Sequence, residues 1–128
     1  DVDAAGERSV VRFAQVHGAL RVADRSVTVT LDDAGRVTRV LNDASPLVDV
    51  RPATITAQDA RRLASARVLG VDAPGAVVSQ PRKVVFAEGG HGVEGFLVLV
   101  ARGPAQVVEV RVDGHDGQVF GLRDTVLR

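Results

Sequence analysis

The stretch from Ser26 to Asp32 (SVTVTLD) sets Val27, Val29 and Leu31 on one side of an extended chain and Thr28 and Thr30 on the other. A period of two is the pattern of a half-buried strand. Asp33-Ala34-Gly35 follows as a turn, in which Gly35 supplies the positive φ that tight hairpin loops require, and Arg36 to Leu41 forms the return strand. The same plan recurs near the other end of the chain. VTLDDAGRV (Val29–Val37) and VRVDGHDGQV (Val110–Val119) both read as a hydrophobic residue, Asp, a short polar turn, Gly, a polar residue and Val. One turn device used in both halves predicts antiparallel strands joined by short connections.

Further strands follow from the same criteria. Ser9 to Val16 (SVVRFAQV) is rich in β-formers, with Val10, Arg12, Ala14 and Val16 on one face and Val11, Phe13 and Gln15 on the other. A break at His17-Gly18 leads to Leu20–Ala23. In the second half, strands are expected at Lys83–Ala87, Glu94–Arg102, Val107–Asp113 and Gln118–Arg123. They are separated by turns at Glu88–Gly92, Gly103–Ala105 and Asp113–Gly117. Gly95–Ala101 is apolar on both faces, as a central strand under a helix would be. Asn42 to Pro52 is a connector punctuated by Pro46 and Pro52, and a loop with Pro74, Gly75 and Pro81 leads to the later strands. The small polar residues at the start predict a frayed end.

One helix is expected. Thr56-Ala57-Gln58-Asp59 reads as its start, with Thr56 capping and Asp59 reaching back to the cap. Ala60, Leu63, Ala64 and Val68 recur at helical spacing, and Gly70 ends it. The fold class is therefore α+β: an antiparallel sheet, or two, with one main helix packed on one face and a meander in the C-terminal half.

Composition narrows the chemistry. The 128 residues suffice for one domain, and their formal net charge is zero. Phe13, Phe86, Phe96 and Phe120 are the only aromatics, so the core must be built from Val, Leu and Ala. Neither a basic stripe nor interleaved stacking aromatics is present, which disfavours nucleic acid as a partner. The longest apolar run, Phe96–Ala101, suits a buried strand and is far too short to span a bilayer. The absence of cysteine removes disulfides, thiolate ligands and a Cys nucleophile. Basic residues are nearly all Arg, with Lys83 the sole lysine, a bias that reads as coding preference rather than chemistry. The chain opens on Asp1-Val2-Asp3 without a signal peptide, which leaves export open.

The densest polar cluster is Asp113, His115 and Asp116, flanked by Gly114 and Gly117. Two carboxylates and an imidazole can hold a metal or share a proton, but metal ligands usually converge from several elements. Here they are consecutive residues of a hairpin tip, where Asp113 can bond the amides of its own turn. The turn is the favoured interpretation. His17 and His91 also adjoin glycines, and no HExxH spacing, GxSxG context or phosphate-cradling Gly loop before a helix occurs. No catalytic residue, metal ligand or cofactor is expected. Gln15 stands on an otherwise apolar strand, either as an ordinary edge residue or as a buried amide that orders neighbouring backbone.

With these elements placed, the chain resembles the propeptide region of secreted zinc metallopeptidases of the thermolysin and fungalysin type, in which an FTP motif precedes a PepSY domain. Arg12–Val22 (RFAQVHGALRV) resembles the family's Arg-aromatic-x-Gln run and the Gly-hydrophobic-Pro-Val turn after it. Val27–Val37 resembles the next hairpin. Thr54–Ala60 (TITAQDA) resembles the helix start Thr-Ile-Ser-Ala-Glu-Glu-Ala, and Val112–Val119 (VDGHDGQV) is similar to the closing PepSY hairpin Val-Asp-Ala-x-x-Gly-x-Val. The motifs occur in the family's order over nearly the whole chain. The sequence departs from the pattern in places. Gly18 falls one position early, Arg21 stands at the usual Pro, Ala23-Asp24 replaces an aromatic-Gly pair, and the usual Tyr of the first PepSY strands is missing.

The resemblance implies an FTP-like hairpin region over 1–50 and a PepSY-like α+β region, with a cystatin-like meander, over 51–128, together one compact unit. It assigns Arg12, Phe13, Gln15, Gly18, Gly35, Asp113 and Gly117 as structural motif residues. It also implies a secreted, non-catalytic domain that assists folding of a metallopeptidase catalytic domain and inhibits it, in cis or in trans. No HExxH helix is present, so the peptidase's catalytic machinery is not in this chain. Asp124, Thr125, Val126, Leu127 and Arg128 would form a tail contacting the protease. A stand-alone secreted module that inhibits a separately encoded protease is the alternative.

Overall fold

The computed structural model describes residues 2–3, 8–70, 79–103 and 106–126. The first half contains β1 (Val2–Asp3), β2 (Arg8–His17), β3 (Leu20–Leu31), β4 (Val37–Asn42) and β5 (Asp49–Arg51). Helix α1 (Ala57–Leu69) follows, then β6 (Arg82–Glu88), β7 (His91–Gly103), β8 (Gln106–Asp113) and β9 (Val119–Val126). Among the described residues the nine strands join in one sheet, ordered β1-β2-β3-β6-β7-β8-β9, with β4 added to β3 and β5 to β7. The α+β class holds, with one helix on a mostly antiparallel sheet. The expected loops at Pro74-Gly75 and Pro104-Ala105, residues 1 and 4–7 of the start, and Leu127-Arg128 lie outside the described residues, whereas Val2 and Asp3 of the start expected to be frayed pair with Ser9 and Arg8 as β1.

The sheet is mixed rather than wholly antiparallel. β3 meets β6 in parallel through Val22 and Val85, and β5 runs parallel to His91–Val93 of β7. β5 lies inside what reads in sequence as a connector. Three residues cannot display a period, and Pro46 and Pro52 around them signal only a loop. Leu20–Ala23 and Ser26–Asp32 are likewise one strand, β3, rather than two segments with a break. The chain stays paired through a kink at Asp24, whose φ of 60° makes it the one described non-glycine residue in the left-handed region.

The core sits between α1 and β7–β8. Along β8 every second residue, Val108, Val110 and Val112, is fully buried, and these oppose Val100, Val98 and Phe96 of β7. Ala60 and Ala64 of α1 close over them, with Leu63, Val68 and Val119 at the margin. Alanines on the contact face let the helix approach the sheet closely, and each fully buried valine contributes roughly 1.5–3 kcal/mol of transfer free energy. Local chemistry delimits the helix as the sequence predicts. The Thr56 hydroxyl accepts from the Asp59 amide at 3.1 Å, and the Asp59 carboxylate accepts from the Thr56 amide at 3.1 Å. At the other end Gly70, with φ 93°, donates its amide to Ala66 O.

Candidate functional site

The Asp113–Gly117 cluster is the hairpin tip that its sequence suggests, and its polar groups are committed to backbone. One Asp113 carboxylate oxygen accepts from the amides of His115 (2.7 Å) and Asp116 (3.1 Å), while Asp116 accepts from the Gln118 amide at 2.9 Å. Gly117, φ 77°, donates to Asp113 O. The tip also anchors the segment that leads into α1. Gly114 O accepts from the amides of Thr54 and Ile55, and His115 O accepts from the Thr54 hydroxyl at 2.6 Å. A Cβ on Gly114 would strike Glu94 O and lie 2.9 Å from Ala53 Cβ, so the close approach requires glycine. Glu94 completes the junction. It accepts from the Ala53 amide at 2.9 Å and pairs with Lys83 at 3.5 Å, and the Ala53 N–H, aided by Lys83, holds its carboxyl below the usual range.

The remaining imidazoles have other partners. His115 Nδ1 faces Pro52 O at 3.2 Å, and His91 Nδ1 meets the Asp49 carboxylate at 2.5 Å across the β5–β7 pairing. His17 closes the β2–β3 hairpin opposite Leu20. Among the described residues no group of three or more His, Asp or Glu is gathered to hold a metal.

The N-terminal motif residues shape a three-stranded ribbon. Gly18 (φ 60°) and Gly35 (φ 81°) turn its two hairpins. At the second, the Asp32 carboxylate accepts from the Ala34 and Arg36 amides, and these bonds, with the Arg36 guanidinium, lower its pKa. Gln15 resolves in favour of backbone ordering. It sits in a β-bulge between Ala14 and Val16, donates to Ser45 O at 2.6 Å and accepts from the Ser45 amide at 2.8 Å. One side-chain amide thus pins the connector as a short strand would. The register puts Val11, Phe13, Val27, Val29, Leu31, Val37 and Val40 on one face of β2–β3–β4. Much of that face is open to solvent, with Phe13 57% exposed, Val37 59% and Val40 55%. Helix α1 packs instead on β7, β8 and β9.

A second surface was not legible in the sequence. On the face opposite α1 lies an open groove of about 740 Å³, floored by Phe86, Val93 and Phe120. It continues into a smaller recess of about 410 Å³ between β2–β3 and β6–β8. Arg111 stands where they meet. Its guanidinium lies 5.8 Å from the Phe86 ring centroid, bonds the Asp24 carboxylate and faces Glu109 at 3.6 Å. Glu109 also pairs with Arg123 at 3.6 Å. Phe86 and Phe120 touch edge to face, with centroids 4.7 Å apart. β6 and β9 are three strand positions apart, which in a flat sheet would be roughly 14 Å. The rings meet where Phe120 is the extra residue of a bulge opposite Arg111/Val112 and Gly95 leaves β7 bare beneath the Phe86 ring.

The segment expected to be a tail begins as strand. Asp124, Thr125 and Val126 pair with Val108, Val107 and Gln106, so β9 runs past Arg123 and forms the free edge of the sheet. Leu127 and Arg128 lie outside the described residues. No protein-family model matches the chain, and no curated protein matches it significantly.

Proposed function

We propose that this chain is a non-catalytic propeptide module of a secreted zinc metallopeptidase, which assists folding of the catalytic domain and restrains it until cleavage. The observation that carries the proposal is the apolar face of β2–β4, where Phe13, Val37 and Val40 stand exposed in one contiguous patch. Exposed apolar faces on small domains mark partner surfaces. Edge strands β4 and β9 add backbone groups that a partner can pair with. The polar cluster at Asp113–Gly117, by contrast, is occupied in holding the hairpin to the start of α1. The family resemblance supplies the identity of the partner. Its glycine preference at the position of Asp24 agrees with the left-handed backbone found there.

The departures at Arg21 and Asp24 favour a second form of the same idea, a separately encoded inhibitor acting in trans. A coding sequence for an HExxH domain after Arg128 selects the first form, and a stop codon selects the second. In either case, the purified full chain added to the metallopeptidase encoded with it should slow peptide hydrolysis at micromolar concentrations. Phe13→Ser should relieve that inhibition while leaving the melting temperature nearly unchanged. Undiminished hydrolysis in the presence of the wild-type chain would refute the inhibitory role.

A further inference from the structure

The recess between β2–β3 and β6–β8 carries an unbalanced charge in a chain whose net charge is zero. Five arginines line it, Arg12, Arg21, Arg25, Arg82 and Arg111, against two carboxylates, Asp24 and Glu109. Two of the five are engaged. Arg111 is held by Asp24 and Glu109, and Arg25 by Asp43 and the Ala87 carbonyl. Arg12, Arg21 and Arg82 are exposed, and among the described residues none of their guanidinium groups has a hydrogen bond or ion pair. They come from three strands, β2, β3 and β6, so only the tertiary fold brings them to one recess.

The adjoining groove has the opposite sign. Asp24, Asp43, Asp49, Glu88 and Asp113 line it against Arg25, Arg51 and Arg111, and Phe86 and Phe120 provide its apolar floor. A surface that runs from basic through apolar to acidic suits an extended polypeptide and repels a uniform polyanion at its acidic end. Phe86 is nearly buried between Phe120 and Arg111, so Phe120 is the one groove aromatic left open, where single-strand binders stack successive bases on several rings.

We infer that this recess and groove bind an extended segment of a protein partner that is acidic at one end, where its carboxylates pair with Arg12, Arg21 and Arg82 in the recess, and apolar beyond it, where its residues lie over Phe86 and Phe120. Guanidinium forks suit carboxylates through paired N–H donors. The site lies apart from the apolar face of β2–β4, and the inference holds whether or not the partner is a peptidase.

Fluorescence anisotropy of the full chain with a labelled peptide carrying three Glu at one end, followed by alternating Val and Ser, tests it directly. The Glu peptide should bind in a salt-sensitive manner, and the matching peptide with Gln in place of Glu should not. Replacing the three free arginines together (R12S, R21S, R82S) should weaken binding by roughly tenfold or more, about 1.4 kcal/mol. The charge-matched control on α1 (R61S, R62S, R67S) should bind like wild type. Arg21→Glu alone provides a reading that loss of folding cannot mimic, because it should lower affinity for the Glu peptide and raise it for the same peptide with Lys in place of Glu. Three results would overturn the inference: no binding of the Glu peptide at millimolar concentration, equal loss in the α1 control, or an oligothymidylate of equal charge binding as tightly.

Discussion

Gly95 is the position where one added methyl group tests both the packing and the groove. It lies on β7 beneath the Phe86 ring, and a Cβ built there would fall 2.6 Å from Phe86 Cε2 and closer still to the Val112 carbonyl oxygen. The first contact is roughly 1 Å inside van der Waals distance, and neither neighbour has room to yield. Phe86 is 8% exposed and braced by Phe120, while Val112 is itself fully buried in β8. Overpacking of this kind costs about 1–3 kcal/mol, and a backbone oxygen on one side places Gly95→Ala at the upper end. For a chain of this length about 3 kcal/mol lowers the melting temperature by roughly 10 °C. Urea denaturation should show a lower midpoint at unchanged slope. The double variant Gly95→Ala/Phe86→Leu separates the two clashes. If the ring dominates, the pair should be less destabilised than the sum of the single changes, with coupling of about 1 kcal/mol or more. A Gly95→Ala protein that melts within a degree of wild type would refute the claim that glycine here seats Phe86 across the sheet.

Other perturbations have equally definite outcomes. Thr56→Ala removes the acceptor for the Asp59 amide and should cost about 1 kcal/mol, read as a fall of a few degrees in melting temperature. Gln15→Ala frees Ser45, so amide exchange at Ser45 should quicken strongly while amides of β7 and β8 keep their protection. The Glu94 carboxyl is held below its ordinary value of 4.5, first by the Ala53 N–H and then by Lys83. Because the folded pKa lies below the unfolded one, its contribution is complete above that value and fades as pH falls through the folded pKa. A plot of melting temperature against pH should therefore descend less steeply in acid for Glu94→Gln than for wild type; parallel curves would exclude Glu94 as a source of acid sensitivity.

Elements whose causes are local were legible before the fold was known. The Thr56/Asp59 cap, the Gly70 stop and the turns at Gly35 and Gly117 depend on residues within a few positions of one another, and side-chain type suffices to announce them. The burial of every second residue along β8 follows from alternation alone. β5 was not legible, since its only signal is a pairing with His91–Val93 some forty positions away. The role of Gln15 stayed open for the same reason, because its partner Ser45 lies 30 residues on. The strand character of Asp124–Val126 depends on β8 offering free backbone groups, which their own residue types do not reveal.

The sequence alone determined most of the longer strands, the single capped helix, a core of Val and Ala, and a polar cluster that belongs to a turn. Each rests on periodicity or on short-range bonding, which act before the chain has a tertiary shape. The tertiary structure alone decided which faces remain open and which charges stand together. Arg111 meets Asp24 across 87 residues, and Phe86 meets Phe120 across the two strands between β6 and β9, where Gly95 clears the way. Arg12, Arg21 and Arg82 share a recess only because β3 docks on β6 at Val22 and Val85, a contact between strands that no pattern in either strand encodes.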